Sequence, residues 1–198
     1  ADNLSKKATV PVEELKLLEG YYFSTNEPWG IRKIKFTEEE GILVGDDRGY
    51  RFKLHPVGNG KFINPDDGES LVFNTQNKNA ITLLLFGKIN LEKANASKDK
   101  EVTVADAIKK VTVSAESLKL LEGEYISSND PNGVRRIIFS QEAGVLWGSD
   151  NGYRYKLIPV GEGTFINPDD GAKVEFDTKD KNAPTLLLFG SINLKKVK

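Results

Sequence analysis

The chain has 198 residues, of which 38% are apolar and 9% aromatic, which is enough for a packed core and excludes a disordered chain. Its 28 basic and 29 acidic residues leave a net charge of -1, so charge gives no reason to expect binding to nucleic acid or to an anionic membrane surface. The absence of cysteine excludes disulfides and thiolate chemistry, and no apolar run approaches the ~20 residues that span a membrane.

The first predicted element is a helix over residues 11–18, where Pro11 suits the first helical position. After Gly20 the pattern changes to short alternating runs separated by turn residues. Tyr50, Phe52 and Leu54 alternate with polar neighbours, as in an antiparallel strand with one buried face. Eight strands are predicted, near residues 20–26, 31–37, 42–46, 50–57, 61–64, 69–75, 81–86 and 88–93.

The whole pattern then occurs a second time. At an offset of 103, residues 15–91 align without a gap with residues 118–194, and 49 of these 77 positions are identical. Ser114 precedes the helix of the second copy and is predicted to be its N-cap. We therefore predict two domains, residues 1–94 and 105–198, joined by an exposed polar linker over residues 95–104.

The predicted fold class is all-β. Consecutive strands joined by short turns favour, in each copy, a small up-and-down antiparallel barrel of about eight strands with a short N-terminal helix. Such a barrel has room mainly for its own side chains or for one small ligand. The alternative architecture is a single larger sandwich built from both copies.

Two arginines stand out because of their strand parity. Arg32 and Arg135 share a face with Ile34 and Ile137, on the side of the strand predicted to be buried. A guanidinium group stays charged in a protein and needs a partner when it is buried. That partner is either a carbonyl or carboxylate group of the barrel itself or an anionic ligand at the barrel mouth.

Aromatic residues complete the candidate ligand site. Tyr22, Phe52, Tyr125 and Tyr155 are predicted to contact a ligand held inside a barrel together with the arginines. Trp29 lies in a predicted loop and could anchor a partner or a sugar, although packing over a barrel end is an equal alternative.

The remaining chemistry-bearing residues form no catalytic set. His55 is the single histidine, and it is predicted to lie on the exposed face of a strand, with Ile158 at the equivalent position of the second copy. The paired aspartates Asp46-Asp47, Asp66-Asp67 and Asp169-Asp170 are predicted to be solvated turn residues. We therefore predict a protein that is not an enzyme and that holds no metal or other cofactor.

The segments Leu17-Leu18-Glu19-Gly20-Tyr21-Tyr22 and Leu120-Leu121-Glu122-Gly123-Glu124-Tyr125 open each copy with a short signature. Together with the Phe-Ile-Asn-Pro segment and the final apolar strand, they resemble the lipocalin-like β-barrel domains found C-terminal to serine hydrolases of the class C β-lactamase type. The resemblance covers nearly all of each copy. It implies an accessory barrel without the catalytic domain, here duplicated in tandem, that covers an enzyme or mediates oligomers.

These observations predict a non-catalytic, exported binding or protein-interaction module. The alternative is a carrier of a small apolar or anionic ligand in the barrel lumen. A secreted or periplasmic location is predicted from the missing initiator methionine and the missing cysteine. The expected partner is an unidentified protein or small molecule, with no nucleic acid and no membrane span.

Overall fold

A computed structural model describes residues 8–24, 27–96, 101–127 and 129–197. The chain divides into two compact units, Ala1–Glu27 with Arg32–Val102 and Pro28–Ile31 with Thr103–Lys198. Residues 97–100 of the predicted linker lie outside the described residues. Each unit is built around one eight-stranded barrel.

The first barrel follows a short helix, α1, over Val12–Leu18. Its strands are β1 Gly20–Ser24, β2 Lys33–Glu39, β3 Ile42–Asp47, β4 Tyr50–Gly58, β5 Lys61–Ile63, β6 Ser70–Asn74, β7 Thr82–Leu85 and β8 Ile89–Lys93. Each strand is antiparallel to the next, and β1 pairs with β8 so that the sheet closes.

The second barrel repeats this plan after two short helices, α2 Val104–Ala107 and α3 Ala115–Leu121. Its strands are β9 Gly123–Ser127, β10 Arg135–Glu142, β11 Val145–Asp150, β12 Tyr153–Gly161, β13 Thr164–Ile166, β14 Lys173–Asp177, β15 Thr185–Leu188 and β16 Ile192–Lys196. Pairing of β16 with β9 closes this sheet as well.

The predicted fold class is confirmed: the protein is all-β, with two closed antiparallel barrels of eight strands in tandem. The alternative of one sandwich shared by both copies is wrong, because each sheet closes on itself. The strand β4 shows how alternating apolar and polar residues in the sequence predict alternating buried and exposed side chains. Phe52 and Leu54 are buried, whereas His55 and its polar neighbours on the opposite face are exposed, as predicted.

Aromatic rings fill the middle of each barrel. In the first barrel Phe36 meets Tyr22 and Phe73 edge to face, with ring centroids 5.3 and 5.2 Å apart, and Phe62 meets Phe73 at 5.5 Å. The second barrel has the same arrangement, formed by Tyr125, Phe139, Phe165 and Phe176. Edge-to-face contacts of this kind stabilise a core beyond the apolar area they bury.

The helix that precedes each barrel covers one of its ends. In α3, Leu118 and Leu121 are buried in the core, and Ser114 caps the first turn through its hydroxyl, as predicted. The carbonyl groups at the end of the helix also find donors, because the Tyr125 hydroxyl donates to Leu121 O at 3.2 Å and Lys196 Nζ donates to Leu120 O at 3.1 Å. These hydrogen bonds tie α3 to the second barrel.

One helix was not predicted. The helix α2 begins where the linker was expected to be exposed, and its N-terminus is a capping box in which the Thr103 and Asp106 side chains each bond the other residue's backbone N–H. Val102 and Val104 are buried, so this part of the predicted linker is not solvent-exposed. The Thr-x-x-Asp spacing at residues 103–106 indicates such a cap, but the polar composition of the segment is also typical of a linker.

We expect each barrel to fold by itself, because each has its own aromatic core and its own closed sheet. Residues 1–96 and 103–198, expressed separately, should each unfold in urea in a single cooperative transition followed by far-ultraviolet circular dichroism. A broad, non-cooperative transition in both halves would contradict this expectation.

Candidate functional site

The arginine of the second barrel lies between two carboxylates. Arg135 opens β10, at the end of the barrel away from α3, where it pairs with Ser127. Its Nε donates to Asp130 Oδ2 at 2.5 Å and its Nη1 donates to Asp150 Oδ2 at 3.0 Å. The guanidinium lies over the Phe189 ring, 5.7 Å from the centroid. Carboxylates of the barrel itself, one of the two kinds of partner predicted from the sequence, are therefore partners of Arg135.

The first barrel repeats this cluster with longer distances. Arg32 Nε lies 3.4 Å from Glu27 Oε1 and 3.6 Å from Asp47 Oδ2, and the guanidinium is 5.8 Å from the centre of the Phe86 ring. Both copies therefore hold an inward arginine between two acidic side chains and over a phenylalanine. Glu27 stands where the second copy has Asp130, so the carboxylate is kept although the side-chain length differs.

One carboxylate oxygen in each cluster has no partner. Asp47 Oδ1 and Asp150 Oδ1 are buried and accept no hydrogen bond from any residue that the structure describes. A buried acceptor of this kind costs free energy unless a donor reaches it. Burial raises the pKa of Asp47, and the neighbouring Arg32 opposes that shift.

The prediction that Asp46-Asp47 is a solvated turn pair is wrong for Asp47. The side chain lies at the end of β3, where Asp47 pairs with Ile34 across the ladder, and it is 23% exposed. Its counterpart Asp150 occupies the same place opposite Ile137 and is 18% exposed. Asp47 faces Arg32, and Asp150 faces Arg135. In each barrel the arginine lies two residues before the isoleucine with which the aspartate pairs.

A cavity of about 250 Å³ opens beside the cluster of the second barrel. Its polar lining consists of Arg135, Asp150, Asn151, Tyr153, Tyr155, Asn167 and Asp170. Its apolar lining consists of Ala172, Val174, Leu188 and Phe189. The cavity therefore combines side chains of opposite charge with an apolar wall. Polar groups beside an apolar lining are the usual composition of a small-molecule site.

Tyr155 is held in the cavity wall by a glycine on the neighbouring strand. Gly148 pairs with Tyr155 across β11 and β12, and a Cβ added at Gly148 would lie 2.5 Å from Cζ of that ring. Tyr153 stacks on the ring with centroids 5.9 Å apart, and its hydroxyl donates to Asp169 Oδ2 at 2.8 Å. Burial raises the pKa of Tyr155, and the nearby Asp150 and Asp170 act in the same direction.

The other predicted aromatic residues are placed differently. Tyr22 and Tyr125 are fully buried in the two cores, and Tyr22 donates its hydroxyl to Leu18 O at 3.0 Å. Burial raises the pKa of Tyr125 to about 12. Both side chains join the barrel to its helix.

Phe52 and Trp29 also lie outside the cavity. Phe52 is the first-barrel counterpart of Tyr155, packed over Gly45 without a hydroxyl group. Trp29 belongs by its contacts to the second unit, where its carbonyl oxygen accepts from Lys173 N at 2.9 Å, and its side chain is 55% exposed. The structure thus brings together two of the predicted residues, Arg135 and Tyr155.

Several residues of the site were missed from sequence. Asp130, Asp150 and Phe189 contact Arg135, and Asn167 and Asp170 line the cavity. One feature of the sequence could have indicated the partners of the arginine. The acidic residues at positions 27 and 47 recur at positions 130 and 150, and each copy also has an inward arginine. That signal identifies partners only after the strand register is known.

A second depression of about 680 Å³ lies beside α3. Its apolar lining includes Val113, Leu120 and Phe165, while Glu116 and Lys181 on its rim are exposed to solvent. Among the described residues that line this depression, none was predicted from the sequence to bind a ligand. The cavity at Arg135 is therefore the stronger candidate site.

The contact between Gly148 and Tyr155 predicts a specific sensitivity. Gly148→Ala should displace the tyrosine ring and lower the free energy of unfolding by about 1–3 kcal/mol, the usual cost of overpacking. The control is Gly161→Ala, where the added Cβ has only ordinary contacts, the nearest at 3.6 Å, and should change stability by less than about 0.5 kcal/mol. Urea unfolding measures both; equal effects would contradict the packing argument.

Asp130 should make stability depend on pH. The backbone N–H of Asn132 and the side chain of Arg135 donate to its carboxylate and hold its pKa below the usual value. A lowered folded-state pKa stabilises the fold above the unfolded-state value, near 3.9, and this stabilisation is lost as the pH falls through the folded-state pKa. Asp130→Asn should thus be less stable than the wild type at pH 7, and urea titrations should show this difference shrinking as the pH falls below about 3.9. A difference that stays constant with pH would contradict this.

Comparison of the chain with models of known protein families and with curated protein sequences found no match. None of the described helices is long and apolar enough to cross a membrane. Within the described ranges, no three His, Cys, Asp or Glu side chains are grouped so as to hold a metal ion. Evidence about function therefore comes from the cavity and from the residues that line it.

Proposed function

We propose that the chain is a non-catalytic binding module made of two duplicated barrels, and that its ligand site is the cavity beside Arg135. The observation that carries this proposal is a cavity of about 250 Å³ whose wall combines charged and polar groups with apolar side chains. A concave site with a few polar groups and an apolar lining is the usual composition of a small-molecule site.

The groups that line the cavity favour binding over catalysis. Nucleophilic catalysis needs a nucleophile within hydrogen-bond reach of a base. The raised pKa of Tyr155 keeps its phenol protonated, and the Asp150 carboxylate is engaged with Arg135 at 3.0 Å. His55, the single histidine of the chain, lies on the exposed face of β4 in the first barrel.

A carrier role with a ligand along the lumen has less support. The axis of the second barrel is occupied by Tyr125, Phe139, Phe165 and Phe176 in mutual contact. The cavity lies instead at the end of the barrel away from α3. Export from the cytoplasm and a relationship to the accessory domains of serine hydrolases remain predictions from sequence.

The proposal is tested by screening small molecules of all charge types against the full chain. Two-dimensional amide NMR, at ligand concentrations up to about 5 mM, detects the weakest binding affinity expected for a ligand of about ten non-hydrogen atoms. We expect at least one compound to shift the signals of Asn151, Tyr155 and Phe189 in a saturable way. If no compound does so, the proposed site is wrong.

A matched pair of variants localises the binding. Val174→Leu adds one methylene group to the cavity wall, and the first barrel already carries Leu71 at the equivalent position, so the fold should tolerate it. Binding should weaken several-fold in this variant. The reverse change, Leu71→Val, lies in the first barrel and should leave binding unchanged.

A further inference from the structure

A short extended segment of the second unit, Pro28–Ile31, pairs with the backbone at the start of β14. Ile31 N donates to Gly171 O at 2.8 Å. Lys173 N donates to Trp29 O at 2.9 Å. The segment therefore adds a short strand to the surface formed by residues 171–173, and it does so through backbone groups that do not depend on the side chains.

The approach is close because glycines lie on both sides of it. Gly30 lies opposite Ala172 in an antiparallel bridge between the two hydrogen bonds. A Cβ added at Gly30 would lie 2.0 Å from Gly171 O, and one added at Gly171 would lie 2.1 Å from Ile31 O. A side chain at either glycine would therefore prevent the pairing.

The first unit has the same surface, residues 68–70, without a segment on it. Gly68 and Glu69 occupy the positions of Gly171 and Ala172, which are buried, whereas Gly68 and Glu69 are exposed. A Cβ added at Gly68 would meet nothing within 4 Å. Gly68 O accepts no hydrogen bond from any residue that the structure describes. We call residues 68–70 the accepting surface.

The second unit has the equivalent of the paired segment, and this segment is also uncovered. Residues 131–134 precede β10 and are all exposed, with Val134 76% exposed. Gly133 occupies the position of Gly30, has a positive φ of 110°, and would have nothing within 4 Å of an added Cβ. Val134 N, the counterpart of the donor at Ile31, has no acceptor among the described residues. We call residues 131–134 the free segment.

We infer that the free segment of one molecule pairs with the accepting surface of a second copy of this chain. In this contact Val134 N donates to Gly68 O and Ser70 N donates to Asn132 O, as the equivalent groups do within the second unit. Glu69 comes opposite position 133, where glycine leaves room for its side chain. The two surfaces differ, so the contact is heterologous, and each molecule added leaves another segment and another surface free.

This association is expected to be weak. Pro28–Ile31 reaches residues 171–173 from within the same chain, so its effective concentration is high. The free segment has to come from another molecule and gains only a short backbone pairing. The contact is therefore best detected by trapping it covalently rather than by isolating an oligomer.

The absence of cysteine allows such trapping between two full-length variants. Asn132→Cys and Ser70→Cys place one thiol on each partner, at the positions of Trp29 and Lys173. Paired strands bring Cα atoms to about 5.5 Å at such positions, within the range of a disulfide. In an equimolar mixture in glutathione redox buffer, the mixed disulfide should exceed either symmetric disulfide by about tenfold in intact-protein mass spectrometry. A mixed disulfide no more abundant than random pairing gives would overturn the inference.

A further substitution in the Ser70→Cys chain separates docking from random collision. Gly68→Asn adds a side chain where the pairing leaves no room, and asparagine tolerates a positive φ, so it should lower the yield of mixed disulfide about tenfold in a folded protein. Gly49→Asn is the matched control, because Gly49 also has a positive φ and open space, and it should leave the yield unchanged.

Val134→Pro, made in the Asn132→Cys chain, tests the same contact from the other side. It removes the N–H that donates to Gly68 O and should also lower the yield, so it serves if Gly68→Asn does not fold. Equal yields with folded Gly68→Asn and Gly49→Asn would refute the inference. So would an unchanged yield with folded Val134→Pro. Neither result bears on the cavity beside Arg135, which the small-molecule screen tests separately.

Discussion

Closure of each sheet is the constraint on which the rest of the molecule depends. Pairing of β1 with β8, and of β16 with β9, joins the two edges of each sheet and encloses a fixed volume. Edge-to-face aromatic rings fill the middle of that volume, and a helix covers one end. In the second barrel, Arg135 and the cavity beside it lie at the opposite end, where β10 and β12 begin and β11 ends.

The geometry of the closed sheet places one arginine of each barrel on the inward face of its strand. Strand parity turns Arg32 and Arg135 toward the interior, and each is compensated by two carboxylates contributed by a different part of its own copy. The compensation is incomplete in a defined way, since one oxygen of Asp47 and one of Asp150 have no partner among the described residues.

Comparison of the two copies distinguishes residues that build the barrel from residues that shape the candidate site. Several residues that build the barrel are identical in the two copies, such as Phe36 and Phe139, or Gly45 and Gly148. One difference lies at the mouth, where the second barrel has Tyr155 and the first has Phe52. Close packing tolerates little change in a filled core, whereas the rim of a barrel can change its volume and polarity without disturbing the strands below.

The sequence by itself determined the duplication, the all-β class, the eight strands of each copy and the inward direction of Arg135, because these follow from period-two alternation and from turn residues that act locally. It also placed Tyr155 in the candidate site. Only the tertiary structure decided that Tyr22 and Tyr125 anchor helices, that Asp150 is half-buried against Arg135, and that free volume remains beside Tyr155. The physical reason is that ion pairs and cavities arise between strands distant along the chain, and these become neighbours only once closure of the barrel sets their register.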